Sequence, residues 1–276
     1  MNLEFPSLVD YGLERAAEIL TRAFADYFVP ITFNVGSLLQ ATRVDSVDLA
    51  ASRMFLRDGA AVGGALIARR GWTTRLAGMA IVPEAHRAGI GRSAVVRLLA
   101  EAKARNDQAM VLEVIEQNTA AVELYRACGF REIRRLVGFA GPAPSDGDVP
   151  PGLIEVDLRE VAEAVIRYGP RDLPWQLSGE TLAQLTPPNI AYRLNGAWVA
   201  LLKPANPTVT LRGLIAERDV QGVGREAALI RAVMAKHADR KEWRVTEIWP
   251  EELADVIIPA GLPRSRLTQW QMQRKV

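Results

Sequence analysis

Apolar positions near the start of the chain follow two spacings, one typical of helices and one typical of strands. From Tyr11 to Phe24 they recur at helical intervals, which predicts an amphipathic helix with one buried face. Apolar runs at Met54–Leu56 and Ala60–Ala68 flank Asp58-Gly59, and this arrangement predicts a β-hairpin. The run from Trp72 to Val82 predicts a third strand of the same meander.

A glycine-containing segment follows this third strand and precedes a helical pattern. Glycines let a backbone approach a ligand closely, and the free N–H groups of a first helical turn point at an anion placed there. Arg87 and Arg92 add positive charge at the same place. The order of strand, glycine turn and helix therefore predicts a phosphate site, with an ordinary tight turn as the alternative. The segment reads His86-Arg87-Ala88-Gly89-Ile90-Gly91-Arg92, and Ala94, Val95, Leu98, Leu99 and Ala102 share one face of the helix.

A further strand and helix come next along the chain. Val111–Ile115 is a short apolar run that predicts a buried strand. Asn118 to Cys128 predicts a helix, with Asn118 as its N-cap and Gly129 as the residue that ends it.

With these motifs in this order, residues 72–139 resemble the cofactor-binding half of the GNAT superfamily of N-acetyltransferases. One position departs from the family pattern, because His86 stands where Gln or Arg usually begins the glycine turn. The resemblance implies an α/β fold in which a mixed, mostly antiparallel sheet is flanked by helices. The matching pieces are Met79-Ala80-Ile81-Val82-Pro83, Arg87 to Arg92, Leu112-Glu113-Val114, Asn118, Leu124-Tyr125 and Gly129-Phe130.

The resemblance also implies acetyl-CoA as co-substrate and gives individual residues roles in binding it. Backbone groups at the end of the third strand would lie along the pantetheine arm, the glycine turn would bind the diphosphate, and Asn118 would bond the cofactor arm. Tyr27 and Phe28 lie where the family forms part of the acceptor wall, although aromatic side chains there are often core residues. The residues of the arm and the diphosphate are Met79, Ala80, Ile81, Arg87, Ala88, Gly89, Ile90, Gly91 and Arg92.

Acetyl transfer to a primary amine requires a base for the amine and an acid for the departing thiolate. By resemblance Glu113 is the base, with Glu116 in reserve; alternatively Glu113 is solvated or pairs with Arg131 or Arg134. Tyr125, seven residues after Asn118 as in the family, is the acid, with a core tyrosine as the alternative. The implied reaction is direct attack of the amine on the thioester without an acyl-enzyme.

Composition narrows the function classes. The 34 basic and 32 acidic residues give a net charge of +2 without a block of like charge, which argues against nucleic-acid and membrane-surface partners. Two histidines and one cysteine make a metal site improbable. Because Cys128 is the only cysteine, an internal disulfide is excluded. Its side chain is expected to be packed rather than nucleophilic. Without a secretory signal or an apolar run of about 20 residues, a cytoplasmic location is expected.

The pattern of the first half returns in weaker form after a Pro- and Gly-rich stretch. Gly91 and Gly224 are separated by nearly the same interval as Gly129 and Gly261, which predicts two copies of one fold. The predicted divisions are a catalytic GNAT domain at 1–140, a linker at 141–152 and a degenerate GNAT-like domain at 153–276. By that interval Glu113 falls on Val245, Asn118 on Pro250, Tyr125 on Ile257, and His86 on Asp219.

The second copy is therefore expected to pack against or shape the site, although Gly222-Val223-Gly224-Arg225 could still cradle a phosphate. The acceptor is open: a small-molecule amine is favoured over a protein N-terminus or an aminoglycoside. A non-catalytic acyl-CoA-binding or regulatory module is the rival function, favoured if Glu113 and Tyr125 point into the core. The sequence leaves the oligomeric state open.

Overall fold

The computed structural model describes residues 2–142, 148–220 and 224–276, which divide into two compact units. Unit 1 contains Met1–Val114, Asn118–Ile133 and Gln271–Val276, and unit 2 contains Ile115–Gln117 and Arg134–Trp270. The predicted divisions follow chain order, whereas unit 1 takes the last residues of the chain and unit 2 takes a strand from the first half. Residues 143–147 of the predicted linker lie outside the described residues.

Helices and strands recur in a similar order along both halves of the chain. The first half contains β1 (Leu3–Glu4), α1 (Leu8–Tyr11), α2 (Leu13–Ala23), α3 (Val35–Val44), β2 (Arg53–Arg57), β3 (Ala60–Arg70), β4 (Thr73–Ile81), α4 (Ile90–Ala104), β5 (Ala109–Ile115) and α5 (Thr119–Ala127). There follow β6 (Arg131–Gly141), β7 (Ile154–Val156), α6 (Leu158–Tyr168), α7 (Gly179–Leu182), β8 (Ile190–Leu194), β9 (Ala197–Leu202), β10 (Thr208–Ala216), α8 (Arg225–Lys236), β11 (Glu242–Pro250) and β12 (Gln269–Lys275).

Unit 1 is built on a sheet with strand order β1-β2-β3-β4-β5-β12. The predicted hairpin is confirmed, because β2 and β3 pair antiparallel around Asp58-Gly59, whose φ angles are 50° and 82°. The predicted third strand is β4, antiparallel to β3. The single helix predicted from Tyr11 to Phe24 is wrong at its start, since Gly12 at φ 99° separates α1 from α2.

The edge of β4 that faces β5 is paired over only part of its length. The parallel register joins Thr73–Leu76 to Ala109–Leu112, and β4 then continues to Ile81 while β5 continues to Ile115. On its other edge β4 stays paired with β3 as far as Gly63↔Ile81, with Ala77 as the extra residue of a bulge. Beyond Leu76, β4 is therefore held by β3 and leaves the register with β5.

Replacing Gly63 with Ala is expected to destabilise the end of β4. A Cβ on Gly63 would lie 2.2 Å from the Ala80 carbonyl oxygen, and the φ of 156° is unfavourable for other residues. Because backbone must move, we expect the free energy of unfolding in urea to fall by about 3 kcal/mol. Gly71 also has a positive φ, but a Cβ there meets open space. Gly71→Ala should therefore cost only about 1 kcal/mol, and equal losses would contradict the clash.

Unit 2 is built on a sheet with strand order β6-β11-β10-β9-β8-β7. β10 and β11 are parallel, and the remaining recorded pairs are antiparallel. Large side chains such as Trp243, Tyr192 and Phe139 are fully buried in its core. A mixed, mostly antiparallel sheet with helices is thus present in both units, and the predicted fold class is confirmed.

The number of positions that separates matching residues of the two halves differs in places from the predicted interval. β4 begins at Thr73 and β10 at Thr208, a shift of 135 positions. Gly89 and Gly224 are both N-caps, at φ 77° and 84°, so the predicted match of Gly224 with Gly91 is wrong by two positions. By this shift Asp219 corresponds to Glu84 rather than to His86. Residues 221–223, which include two positions of the predicted second phosphate cradle, lie outside the described residues.

The strand that follows is also shifted by one position from the prediction. The registers Leu76↔Leu112 and Leu211↔Val245 make Val245 the counterpart of Leu112. Glu113 therefore corresponds to Thr246 rather than to Val245, and the second copy still lacks a carboxylate there. Further on, Gly129 and Gly261 share a positive φ, as the predicted shift requires.

Membrane-spanning helices and metal-binding groups of side chains are both absent from the described residues. None of the helices in the described ranges is both long and apolar enough to cross a bilayer. In the same ranges no three His, Cys, Asp or Glu side chains form a group that could hold a metal ion.

Candidate functional site

A cavity of about 650 Å³ opens in unit 1 beside the part of β4 that has left the register with β5. Four segments line it: the end of β4, the glycine turn, the start of α5 and the residues that follow α2. Ten of the residues predicted to bind cofactor or acceptor share this cavity, whereas Ala88 and Ile90 are not among its lining residues. The ten are Met79, Ala80, Ile81, Arg87, Gly89, Gly91, Arg92, Asn118, Tyr27 and Phe28.

The glycine turn delivers an uncapped helix N-terminus to the cavity. Gly89 is the N-cap of α4 and offers no side chain to its first N–H groups; the intrahelical bonds start with Ser93 N–H to the Gly89 carbonyl. Arg87 has a positive φ of 59°, an uncommon conformation for a side-chain-bearing residue. The turn therefore presents unpaired backbone donors together with their partial positive charge.

Two arginines add full charges beside these donors. Arg87 and Arg92 both line the cavity and are exposed to solvent. Neither guanidinium has a carboxylate partner within 4.0 Å in the described ranges, whereas other arginines of unit 1, such as Arg75 and Arg105, are paired. The donor set therefore fits a phosphorylated ligand with more than one negative charge.

His86 ties the turn back to the strand. Its Nε2 lies 2.7 Å from the Ile81 carbonyl oxygen. Since a carbonyl can only accept, this contact assigns the ring proton to Nε2. The residue that departs from the family pattern thus fixes the end of β4, a role that the sequence did not indicate.

The start of α5 and the segment after α2 are joined through an asparagine. Asn118 caps α5 by accepting from the Ala121 N–H at 3.3 Å, and its side chain also hydrogen-bonds Tyr27. Burial raises the pKa of Tyr27, and the bond from Asn118 opposes that rise. Tyr27 packs edge-to-face on Phe24 and Phe28, and Phe28 is 47% exposed. Both predicted acceptor residues therefore stand on the cavity wall, together with the carboxylate of Asp26, which the sequence analysis missed.

Glu113 lies outside the lining of this cavity. Its Oε2 accepts from Arg75 Nε at 2.7 Å, and the two side chains are 4% and 6% exposed. Its Oε1 is buried without a hydrogen-bond partner among the described residues. The sequence left Arg131 or Arg134 as possible partners, and the structure gives Arg75 instead. The ion pair spans β4 and β5 at the end of their parallel register.

Glu116, the reserve base, is held by two donors in unit 2. Its Oε2 accepts from Thr268 Oγ1 at 2.5 Å and from Arg135 Nε at 2.8 Å. Desolvation acts to raise the pKa of Glu116, but the bonds from Thr268 and Arg135 outweigh it and lower that pKa. A carboxylate with a lowered pKa is a weaker base.

Tyr125 is buried on the inner face of α5 and, like Glu113, is not among the residues that line the cavity. It is 7% exposed, and its ring packs edge-to-face on Phe130 at 5.8 Å between centroids. Burial strongly raises the pKa of Tyr125, and neighbouring Tyr27 and Cys128 add to the rise. The phenol is therefore protonated at neutral pH and is a weaker acid than a free phenol. Cys128 is buried as well, and burial raises the pKa of its thiol, in keeping with a packed residue.

Comparison with known proteins supports the resemblance drawn from the motifs. Residues 17–130 match the model of the acetyltransferase (GNAT) family. None of the curated proteins searched matches the chain.

Similar folds are found among solved structures. A GCN5-related N-acetyltransferase from Sphaerobacter thermophilus is 16% identical with a TM-score of 0.70, covering 99% of this chain and 95% of that one. A tandem GNAT protein from the clavulanic acid biosynthesis pathway is 15% identical with a TM-score of 0.65, covering 99% and 98%. Eis1 from Mycobacterium abscessus is 15% identical with a TM-score of 0.59, covering 100% and 74%. The predicted resemblance to tandem GNAT proteins is confirmed at the level of fold.

Proposed function

We propose that unit 1 is an acyl-CoA-dependent N-acyltransferase domain and that its acyl donor is acetyl-CoA. The observation that carries the proposal is one cavity in which an open edge of β4 meets an uncapped helix N-terminus and two arginines that have no carboxylate partner among the described residues. Every residue that lines this cavity lies within the segment that matches the acetyltransferase (GNAT) family model. The family match and the fold support acyl transfer; acetyl and the amine acceptor are the finer parts of the proposal.

The chain's own groups divide the binding task. The N–H groups at the start of α4 and the guanidinium groups of Arg87 and Arg92 would hold the diphosphate. The backbone of Met79, Ala80 and Ile81 would hold the pantetheine arm along the free strand edge, with Asn118 bonding the arm from α5. Acetyl-CoA supplies the acetyl group as an activated thioester. A backbone N–H of β4 directed at the thioester oxygen would stabilise the charge that develops there.

Two proton movements complete the reaction: the acceptor's ammonium group would lose a proton to solvent before the amine attacks, and the departing thiolate would take one. Tyr125 would supply the proton of its hydroxyl to the departing thiolate. The raised pKa of Tyr125 keeps that proton in place at neutral pH. Glu113, bound to Arg75 and away from the cavity, is better placed to support the two strands than to take a proton. We propose that Asp26, the carboxylate on the wall, attracts the acceptor's ammonium group beside Tyr27 and Phe28. A small primary amine is the acceptor that this wall favours.

We further propose that unit 2 is a degenerate copy that does not bind acetyl-CoA. Thr210 and Thr246 stand in place of Arg75 and Glu113 by the matched registers, and Ala227 stands in place of Arg92. Two short 3-10 turns, Glu251–Val256 and Ile258–Ala260, replace the helix α5. The guanidinium of Arg92 and the helix α5, which contribute to the unit 1 site, are thus missing from the corresponding elements.

One observation favours a second candidate, a non-catalytic acyl-CoA-binding module. Glu113 and Tyr125, the residues expected to move protons, are both buried. Release of free thiol from acetyl-CoA in the presence of a panel of amines separates the two functions. The panel contains alkyl and aryl amines, an aminoglycoside and a short peptide with a free N-terminus. Thiol release with any of them supports the enzyme, whereas acetyl-CoA binding without release across the panel supports the module.

The double variant Arg87→Ala/Arg92→Ala is expected to weaken acetyl-CoA binding by about a hundredfold, because two charge-assisted contacts to the diphosphate are lost. Isothermal titration calorimetry measures the change. Arg97→Ala is the matched control, since Arg97 lies on the same helix and pairs with Glu101. A similar loss in Arg97→Ala, or no loss in the double variant, would place the cofactor elsewhere.

A further inference from the structure

Unit 2 contains a cavity of its own, of about 350 Å³, which acyl transfer in unit 1 leaves unexplained. Its walls come from α6, β10, the start of α8 and the turns after β11. The lining is largely apolar, with Val165, Leu173, Leu177, Leu214, Leu253 and Val256 on its walls. The volume lies at the lower end of the range for small-molecule pockets, about 300–1,000 Å³.

The cavity occupies the place that corresponds to the acyl-CoA cavity of unit 1. By the shift of 135 positions, Gly213–Ile215 on its wall correspond to Gly78–Ala80 in β4. By the same shift Glu226, in the first turn of α8, corresponds to Gly91 in the phosphate turn. A carboxylate therefore stands where unit 1 offers backbone to a diphosphate, and it would repel an anion.

Glu226 is the polar group that the cavity wall fails to satisfy. Its exposed fraction is 3%, and its Oε2 is buried without a hydrogen-bond partner among the described residues. A buried carboxylate oxygen without a donor is costly, and such groups in folded proteins call for a ligand or another specific cause. The unsatisfied oxygen of Glu226 therefore indicates that a ligand supplies the hydrogen-bond donor.

The remaining charges on the wall have the same sign. Glu252 and Asp255 also line the cavity, and the described lining contains no Lys, Arg or His. Glu252 is paired with Arg134 at 3.0 Å, so its charge is already compensated. Arg225, the first residue of α8, donates to the Asn195 carbonyl at 2.8 Å and lines a different depression. Asp255 is exposed to solvent, so Glu226 is the buried wall carboxylate available to a positively charged ligand.

We propose that this cavity binds a small hydrophobic amine as its ammonium ion. An N–H group of the ligand donates a hydrogen bond to Glu226, and its apolar body packs against the aliphatic walls. The ligand must carry an N–H donor, because Oε2 lacks a hydrogen bond and not only a counter-charge. The proposal goes beyond acyl transfer in unit 1 and does not rest on it. The degenerate copy would in this way have exchanged an anionic ligand for a cationic one.

Trp249 provides a local reporter for the test. It lines the cavity, and its indole N–H donates to the carbonyl of Leu253, another lining residue. The probes are n-hexylammonium, hexyltrimethylammonium, 1-hexanol and hexanoate, titrated into the full chain. The Trp249 indole N–H resonance is assigned with a Trp249→Phe variant. It reports ligand binding at this cavity and distinguishes it from amine binding in unit 1.

We expect n-hexylammonium to shift this resonance with an affinity at least about tenfold higher than that of 1-hexanol or hexyltrimethylammonium. Hexanoate and coenzyme A should not shift it. Glu226→Gln should remove the preference for the ammonium, whereas Glu252→Gln, the same change at the paired carboxylate, should keep it. Arg87→Ala/Arg92→Ala should also keep it, so that this proposal and the unit 1 proposal fail independently.

Several outcomes would overturn the proposal: equal affinity for n-hexylammonium and 1-hexanol, retained preference in Glu226→Gln, displacement by coenzyme A, or no shift with any probe. Glu226→Gln removes a buried charge without a described partner and is expected to leave the melting temperature unchanged or higher. Should it unfold instead, the comparison of n-hexylammonium with hexyltrimethylammonium on the unmodified chain still decides.

Discussion

Glu113→Gln and Arg75→Met are each expected to lower the free energy of unfolding by about 3–5 kcal/mol, because each leaves a buried charge without its partner. The two groups meet at 2.7 Å, and their side chains are 4% and 6% exposed. Urea denaturation of the full chain measures the change.

The double variant Arg75→Met/Glu113→Gln should be more stable than the sum of the two losses implies, since it removes both charges together. Arg22→Met is the control, because Arg22 and Glu84 form an ion pair with side chains more than half exposed. That loss should stay below about 1 kcal/mol. Strictly additive losses at Arg75 and Glu113 would show that the pair is not coupled in solution.

The same variants decide what Glu113 does. If it supports the strands, Glu113→Gln that remains folded should keep its kcat. If it removes the acceptor's proton, kcat should fall by about 10²–10⁴ while the variant is still folded. The geometry favours the first result, because Glu113 is bound to Arg75 and lies outside the cavity lining.

Tyr125→Phe is expected to lower kcat by about a hundredfold, the lower end of the range for general acid catalysis. The lower end follows from the raised pKa of Tyr125, which makes its phenol a weaker donor. The KM for acetyl-CoA and the stability should change little, because Phe preserves the ring that packs on Phe130. Steady-state thiol release measures both constants.

Tyr27→Phe is the matched control, since it removes a hydroxyl that lies on the cavity wall and is bonded by Asn118. Its kcat should fall much less than that of Tyr125→Phe. An unchanged kcat in Tyr125→Phe would remove Tyr125 from the reaction and favour proton transfer to the thiolate from water.

Local patterns in the sequence were sufficient to predict many of the elements. The turn Asp58-Gly59 and the N-cap Asn118 were both identified, because each depends on neighbouring residues. The glycine turn and the segment after α2 were likewise predicted to meet in one site, which a resemblance over several motifs made possible. The break at Gly12 was missed, because apolar spacing continues across it.

Features that depend on distant pairing could not be predicted in the same way. Arg75 and Glu113 are 38 positions apart and meet only because β4 and β5 run parallel in a particular register. The match of Gly224 with Gly89 required the two helix N-caps to be compared in space. The carboxylate of Glu226 has no local signature, since its meaning comes from the cavity wall around it.

Acetyl-CoA titrated calorimetrically into the full chain tests most directly whether unit 1 alone holds the cofactor. One site per chain is expected, lost in Arg87→Ala/Arg92→Ala and retained in Arg97→Ala. Two sites per chain, one site that survives the double variant, or no binding would contradict the assignment of the cofactor to the turn before α4.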